Sequence, residues 1–187
     1  MNELHPELSR ILIPADQIQD RVGGLADQIN QDFSHLERLY IIGILKGAFI
    51  FLSDLTRRLR IPHIVDFMAL SSYGKTDTSG TVRILMDLRE TIEGQHVLIV
   101  EDILDTGNTL NYLSRVLNQR KPASLHTCVL VRKIRQRISP GVSTPGDIPI
   151  DYLGFDIPDV WVVGYGLDFA EQHRTLPYIA EIKQTAT

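Results

Sequence analysis

The residues best suited to chemistry follow an apolar run near the middle of the chain. Residues 97–100 are all aliphatic. Glu101 and Asp102 come directly after them, and Asp105 follows three residues after Asp102. A short turn of small and hydroxyl-bearing side chains completes the segment, formed by Thr106, Gly107, Asn108 and Thr109. Such a turn before a helix exposes backbone N–H groups to a phosphate, and upstream carboxylates suit Mg²⁺ or sugar hydroxyls. The pattern predicts a site for a phosphorylated sugar with a bound metal ion.

Leu110, Leu113 and Leu117 have helical spacing, so the acidic loop lies between a strand and a helix N-terminus. This segment resembles the phosphoribosyl-pyrophosphate (PRPP) motif of type I phosphoribosyltransferases: a hydrophobic strand, an acidic pair, and Asp-Thr-Gly-x-Thr. The resemblance implies that the loop binds the 5′-phosphate and ribose of PRPP. It also implies that Asp105 is catalytic, holding the proton on N7 of a purine. The PRPP-binding set would be Glu101, Asp102, Asp105, Thr106, Gly107, Asn108 and Thr109.

Two other interpretations fit the same residues. The loop could be an ordinary strand-to-helix turn with solvated carboxylates. Residues 103–107 also read hydrophobic-hydrophobic-Asp-Thr-Gly, as in one half of an aspartic-protease dyad. That dyad needs two such loops in an all-β fold. Here the loop opens a helix and has no second copy in the sequence, although a homodimer would supply one.

Composition narrows the functional class. The chain has 187 residues, which suit a single domain over 1–187, with 43% apolar and 22% charged residues. A net charge of −4 argues against a dedicated nucleic-acid binder. The only cysteine, Cys128, cannot form an intramolecular disulfide and is expected to be a buried small hydrophobe. With no visible signal peptide or membrane-length apolar run, we expect a cytoplasmic protein.

Outside the acidic loop, predicted strands alternate with predicted helices. Four apolar residues at helical spacing between positions 18 and 29 predict a helix, which Gly23-Gly24 weakens. A second helix over 49–59 would bury Phe49, Leu52, Leu55 and Leu59. The predicted strands are 39–45, 63–70, 124–131, 151–155 and 160–163. This alternation predicts a doubly wound, mostly parallel α/β sheet flanked by helices, with ligands at the carboxyl ends of the strands. The resemblance adds a small hood formed by the terminal segments.

Lys46 and Gly47 lie where a buried strand becomes a helix. From the residues alone this is either a turn that uses glycine for backbone freedom or a ligand loop. The resemblance implies that Lys46-Gly47 binds pyrophosphate. Whether the bond between these two residues is a non-proline cis peptide is a question the sequence leaves open.

Residues 71–81 have almost no apolar content between two strands. A flexible hairpin loop would explain them, and a P-loop would not, because its first glycine would fall at Ala69. The resemblance assigns this stretch to a mobile lid in which Ser72 and Tyr73 close over the reactants. A lid is chemically sensible, since a cationic sugar intermediate must be shielded from water.

A basic segment follows the predicted strand at 124–131. It is either a solvated loop or a binding element. Lys133 matches the lysine that donates to the exocyclic oxygen of the base in 6-oxopurine phosphoribosyltransferases. The match is good to about one residue, so Arg132 stays an alternative to Lys133.

Within residues 154–169, Trp161 is followed by two valines and then by a Gly-Tyr-Gly turn that leads to an acid. Trp161 could simply belong to the core. The segment resembles the purine-recognition region of hypoxanthine-guanine phosphoribosyltransferases, where an aromatic ring stacks on the base. That resemblance implies purine binding by Lys133, Trp161, Val162 and Asp168, and pyrophosphate binding by Arg174. We expect His173 to be a surface residue.

The resemblance covers about residues 11–182. It implies a purine-salvage transferase that converts hypoxanthine and PRPP to IMP and pyrophosphate, with guanine, giving GMP, as an open second substrate. Mg²⁺ would be held near Glu101, Asp102 and Asp168. We expect a homodimer or homotetramer that binds neither nucleic acid nor membrane. The alternatives are a transferase with another acceptor base, and a nucleotide- and RNA-binding regulator without appreciable catalysis.

Overall fold

The computed structural model describes residues 4–73, 81–134 and 149–183. Three helices and nine strands are assigned in these ranges. In chain order they are β1 (Leu8–Ile13), α1 (Ala15–Asp32), β2 (Leu39–Leu45), α2 (Phe49–Thr56), β3 (His63–Tyr73), β4 (Thr81–Met86), β5 (His96–Leu104), α3 (Asn108–Asn118), β6 (Ser124–Ile134), β7 (Tyr152–Pro158), β8 (Val162–Val163) and β9 (Ile179–Ile182).

The main sheet has six strands in the order β4-β3-β2-β5-β6-β7. All neighbouring pairs are parallel except β3 and β4, which form an antiparallel pair at one edge. Helices cover both faces because alternate residues of β5 point in opposite directions. Leu98 and Val100 pack with α1 and α2, whereas Val97 and Ile99 pack with α3. The predicted doubly wound, mostly parallel architecture is confirmed.

A second, smaller sheet unites the two ends of the chain. Its strands lie in the order β1-β9-β8 and pair antiparallel. Leu8, Val163, Ala180 and Ile182 form its buried cluster. This sheet, which we call the hood, carries Trp161 at its edge, immediately before β8.

Several predicted boundaries were wrong. Helix α1 runs unbroken through Gly23 and Gly24, because burial of its apolar face outweighs the weak helix propensity of glycine. Helix α2 ends at Thr56, and the chain continues to Leu59 as tight turns. Phe49, the first residue of α2, is 41% exposed and does not join the buried face of the helix.

Strands β1 and β9 were not predicted, and β4 was expected only as a strand without bounds after residues 71–81. Each is four to six residues long, and each is stabilised by pairing with a strand distant in sequence or across a loop. Strand β3 also extends three residues further than predicted, so the backbone of Ser72 and Tyr73 pairs with β4. Most of the proposed lid, residues 74–80, lies outside the described residues.

Composition also led to expectations about Cys128 and about membrane-spanning segments. Cys128 is fully buried, and burial raises the pKa of its thiol well above the usual range. It therefore packs as a small hydrophobe. In the described part of the chain, no helix is both long and apolar enough to cross a membrane.

Candidate active site

The acidic loop lies at the carboxyl edge of the main sheet. Strand β5 ends at Leu104, and α3 begins at Asn108 after Gly107, whose φ of 79° is left-handed. A residue with a side chain is strained in that conformation, which accounts for glycine here. The N-cap residue Gly107 has no side chain to cap α3, and the Asn108 N–H donates a long hydrogen bond of 3.4 Å to Thr106 Oγ1. The first amides of the helix point toward the loop, in the arrangement that binds phosphate.

Glu101 and Asp102 are buried at the end of β5. Their exposed fractions are 8% and 9%, and Glu101 Oε2 has no hydrogen-bond partner among the described residues. Burial and the neighbouring Asp102 hold the pKa of Glu101 well above its ordinary value. Burial, aided by Asp168, raises the pKa of Asp102 to about 6, although backbone N–H groups and Arg174 act in the opposite direction. Two buried carboxylates without full compensation suit a site that receives a cation or hydroxyl donors.

The loop after β2 packs directly against Asp102. A Cβ atom on Gly47 would collide with the Asp102 carboxylate, so only glycine allows this approach. The non-proline cis peptide bond in this loop joins Leu45 and Lys46, one bond earlier than the Lys46–Gly47 position considered from the sequence. Lys46 Nζ lies 3.1 Å from both carboxylate oxygens of Glu171.

A turn after β8 presents Arg174 beside the same loop. Its guanidinium lies 2.8 Å from Asp168 Oδ1 and 3.2 Å from Glu171 Oε2, and it donates to the Gly166 carbonyl at 2.9 Å. Asp168 Oδ2 accepts a hydrogen bond of 2.7 Å from the Glu171 backbone N–H. Arg174 Nε is buried without a partner among the described residues. The turn therefore brings a cation and two carboxylates to the Lys46–Gly47 loop.

Lys133 and Arg132 take opposite directions from β6. Lys133 is directed into the site, where its side chain is only 8% exposed and its Nζ lies 3.7 Å from Asp105 Oδ2. Arg132 instead forms two bonds of 2.7 and 3.0 Å with Asp156 on the adjacent strand β7. The alternation of side chains along a strand thus separates the two cations. Of the two, Lys133 is the one placed beside Asp105.

Trp161 forms one wall beside Lys133. Its ring is 56% exposed, Lys133 Nζ lies 5.4 Å from its centroid, and Phe169 meets it edge-on at 6.0 Å. Val162 is buried in β8, and its side chain is 7% exposed. The result is an open slot with an aromatic face, a cation and the Asp105 carboxylate at its sides.

The three carboxylates expected near a metal ion do not form a compact group by themselves among the described residues. The carboxylate oxygens of Glu101, Asp102 and Asp168 do not all lie within 4.8 Å of one another, the separation expected for three ligands of one ion. His173 was predicted to be a surface residue, but its side chain is 10% exposed and its Nε2 lies 2.7 Å from Glu7 Oε2. The side chains of Ser72 and Tyr73, expected to belong to the lid, lie outside the described part of the structure.

Sequence reasoning missed three residues of the site. Glu171 bridges Lys46 and Arg174, and Asp159 lies 3.5 Å from Lys133 Nζ. Gly166, with φ of 106°, packs against the Gly47 carbonyl, where a Cβ would collide. The Gly-Tyr-Gly turn was visible in the sequence, but its contact with residue 47 is long-range. No local pattern could have indicated it.

Comparison with known proteins gives concordant matches. A family model described as "Phosphoribosyl transferase domain" matches residues 14–170. A hypoxanthine-guanine phosphoribosyltransferase of Dictyostelium discoideum is 48% identical over 93% of this chain and 95% of its own length. A hypoxanthine phosphoribosyltransferase of Salmonella typhimurium is 42% identical, covering 92% and 94%. The structure of the Trypanosoma cruzi hypoxanthine phosphoribosyltransferase, in complex with the product IMP, has a TM-score of 0.85 at 39% identity, covering 97% of each chain.

Proposed function

The chain belongs to the phosphoribosyltransferase family, and on that premise we propose that it transfers the phosphoribosyl group of PRPP to a 6-oxopurine. The substrates are hypoxanthine and, as a second candidate, guanine; the products are the nucleoside 5′-monophosphate and pyrophosphate. The observation that carries this proposal is the buried Lys133 Nζ, which lies between Asp105 and the exposed ring of Trp161. A donor, an acceptor and a stacking face in one slot match the edge and plane of a 6-oxopurine.

PRPP binding is supported by the two loops beside that slot. The 5′-phosphate docks on residues 105–109, where the N-terminus of α3, whose N-cap residue is Gly107, supplies N–H groups. Pyrophosphate docks on Lys46, Gly47 and Arg174. Arginine's planar fork suits this task because it can donate two parallel hydrogen bonds to phosphate oxygens. The Lys46 and Arg174 contacts with Glu171 would yield to the more highly charged ligand.

Asp105 has the geometry for acid–base work. Its carboxylate is 43% exposed on the side of the slot that Lys133 and Trp161 define. In the forward reaction the purine N9 attacks C1 of the ribose as pyrophosphate leaves, and Asp105 accepts or holds the proton on N7. Lys133 donates to the oxygen at C6, and Asp168 and the Val162 backbone contact the base edge. The contacts at the two phosphate ends of PRPP lie away from the reacting carbon, but they hold that carbon in position for attack by N9.

PRPP-dependent phosphoribosyltransferases generally use a divalent metal ion, and we propose Mg²⁺ here. The donor set fits, because Glu101, Asp102 and Asp168 offer carboxylate oxygens and one Glu101 oxygen is buried without a partner among the described residues. These three residues would hold the ion or its water ligands. When bound, Mg²⁺ would neutralise charge on the departing pyrophosphate.

Assembly and organisation form part of the same proposal. Residues 1–187 act as a single domain, with a lid over about 71–81 that includes Ser72 and Tyr73. We propose a homodimer or homotetramer, supported by the exposed apolar side chains of Leu85 and Met86 on the edge strand β4. A cytoplasmic location agrees with the single buried cysteine.

A base panel tests the proposal. Product formation from PRPP and Mg²⁺ would be measured with hypoxanthine, guanine, xanthine, adenine and uracil, using release of pyrophosphate as the readout. We expect turnover with hypoxanthine and none with uracil or adenine. Preference for adenine or a pyrimidine would overturn the assignment of Lys133, and the absence of turnover with every base would favour a nucleotide-binding regulator.

A further inference from the structure

A second group of potential ligands lies outside the proposed active site. Glu7 Oε2 is 2.7 Å from His173 Nε2 and 3.9 Å from His5 Nδ1. The ligand atoms of these three residues all lie within 4.8 Å of one another. Within residues 4–73, 81–134 and 149–183, no other set of three histidine, cysteine, aspartate or glutamate side chains meets this condition.

The fold, not chance contact of flexible side chains, brings the three residues together. The Glu7 carbonyl accepts a hydrogen bond of 2.8 Å from Lys183 N–H, which ties residue 7 to the end of β9. The His5 carbonyl accepts one of 2.8 Å from Leu8 N–H at the start of β1. His173 comes from the turn before β9, and its carbonyl accepts from Leu176 N–H. Glu7 is thus tied to the end of β9, whereas His5 and His173 are held in local turns, that of His5 leading into β1.

The chemistry of the set favours a transition-metal ion. Two imidazoles and one carboxylate are a typical zinc ligand set, whereas Mg²⁺ and Ca²⁺ prefer oxygen ligands alone. Zinc bonds of about 2.1 Å in a tetrahedron place ligand atoms roughly 3.4 Å apart. The observed separations of 2.7 and 3.9 Å lie on either side of this value. Small side-chain rotations would therefore bring all three atoms to bonding distance.

Solvent and small ligands can reach this group of residues. His173 is 10% exposed, but the side chains of Glu7 and His5 are about half exposed. A cavity of about 670 Å³ adjoins the group and is lined by Glu7, His173, Trp161 and Phe169 among others. Lys183, which lines the same cavity, donates a hydrogen bond from its ammonium group to the Pro6 carbonyl. Among the ion pairs of the described residues, the Glu7 carboxylate has only histidine partners.

We propose that His5, Glu7 and His173 form a zinc site that fastens the segment before β1 to the turn containing residues 168–174. Water or a small ligand in the cavity completes the coordination. Bound zinc stabilises the hood, because it binds only when the two ends of the chain are together. The proposal does not depend on the transfer reaction, and it is separate from the Mg²⁺ requirement proposed above.

Metal titration of the full chain tests the site. Zn²⁺ would be titrated calorimetrically into zinc-free protein, with excess Mg²⁺ present to compete for sites made of oxygen ligands alone, and with no PRPP or base. The variants would be His5→Ala and Glu7→Gln, and the control His35→Ala, an exposed histidine between α1 and β2. We expect one equivalent of bound Zn²⁺ in the wild type, affinity at least about tenfold lower in both variants, and no change in the control.

Co²⁺ absorption adds a readout of geometry. A four-coordinate site with two imidazoles should give visible bands, which His5→Ala and Glu7→Gln should abolish. A wild type that binds no Zn²⁺, variants that retain full affinity, or a control that loses it would overturn the proposal. Circular dichroism without metal confirms folding. If His5→Ala does not fold, Glu7→Gln still decides the outcome.

Discussion

Lys133 Nζ and Asp105 Oδ2 lie 3.7 Å apart, although one side chain comes from the end of β6 and the other from the loop after β5. Asp159, 3.5 Å from the same nitrogen, directs the lysine from the other side. The Lys133 side chain is 8% exposed, so water competes little with any hydrogen bond it donates. A purine lying on Trp161 would meet a donor and an acceptor at fixed positions.

Asp105→Asn should leave PRPP affinity nearly unchanged while lowering turnover with hypoxanthine by about 10²- to 10⁴-fold. The amide keeps the shape of the side chain but cannot accept the proton from the purine. Single-turnover kinetics and PRPP binding would be measured together, with Asp27→Asn on the exposed face of α1 as a control. Near-normal turnover would show that Asp105 is not the acid–base group and that the loop only binds phosphate.

Lys133→Met should weaken hypoxanthine binding by about 10- to 150-fold, equivalent to roughly 1.5–3 kcal/mol for a lost charge-assisted hydrogen bond. PRPP affinity should change little. Arg132→Met is the matched comparison, because Arg132 is engaged with Asp156 and faces away from the slot. If Arg132→Met lost more hypoxanthine affinity than Lys133→Met, with PRPP affinity unchanged, the base-binding residue would be Arg132 instead of Lys133.

Catalysis should require Mg²⁺ or Mn²⁺, and the metal should bind mainly together with PRPP or pyrophosphate. The physical reason is that Mg²⁺ usually takes one or two carboxylates plus substrate oxygens, and the three carboxylates proposed here do not form a closed set without ligand. Calorimetric titration with and without PRPP would check this. Tight Mg²⁺ binding to the free protein, or full activity in excess chelator, would contradict it.

Asp102→Asn should make the ligand-free protein more stable at pH 7.5, by roughly 1–3 kcal/mol. The pKa of Asp102 rises from 3.8 to about 6 on folding, so the folded state binds more protons between those values. Stability therefore falls as pH rises from about 4 to about 6, and stays lower above that window. The asparagine variant avoids this loss, and its advantage should vanish below about pH 4.

Denaturant unfolding at several pH values would measure this difference. The same variant should gain less stability from added PRPP and Mg²⁺ than the wild type. Asp27→Asn, an exposed substitution, should change neither quantity. Lower stability of Asp102→Asn at pH 7.5 would mean that the ionised carboxylate is better compensated than its burial indicates.

Gly166→Ala should destabilise the protein by about 1–3 kcal/mol and weaken pyrophosphate binding. The added Cβ would collide with the Gly47 carbonyl, and φ of 106° is strained for alanine. Gly23→Ala is the matched control, because a Cβ there meets nothing within 4 Å inside α1. The control should be neutral or stabilising. Equal melting temperatures for the two variants would argue against a tight 47–166 contact.

Local patterns in the sequence were sufficient for the site's central element. An aliphatic run, adjacent carboxylates and a glycine-containing turn before three leucines predicted the strand, loop and helix that the structure has at β5 and α3. The parallel α/β fold followed from the alternation of such elements. The strand, the loop and the helix depend on residues that are close in sequence, so hydrophobic periodicity and turn-forming residues are enough to predict them.

Contacts between distant segments were decided only by the tertiary structure. Pairing of β1 with β9 joins residues near the two ends of the chain, and neither strand has a strong local pattern. Which of Lys133 and Arg132 lies beside Asp105 depended on which face of β6 meets the acidic loop. Glu171, Gly166 and the His5–Glu7–His173 group acquire partners across long sequence separations. Periodicity specifies the face on which a side chain lies, but only packing of whole elements determines what that face meets.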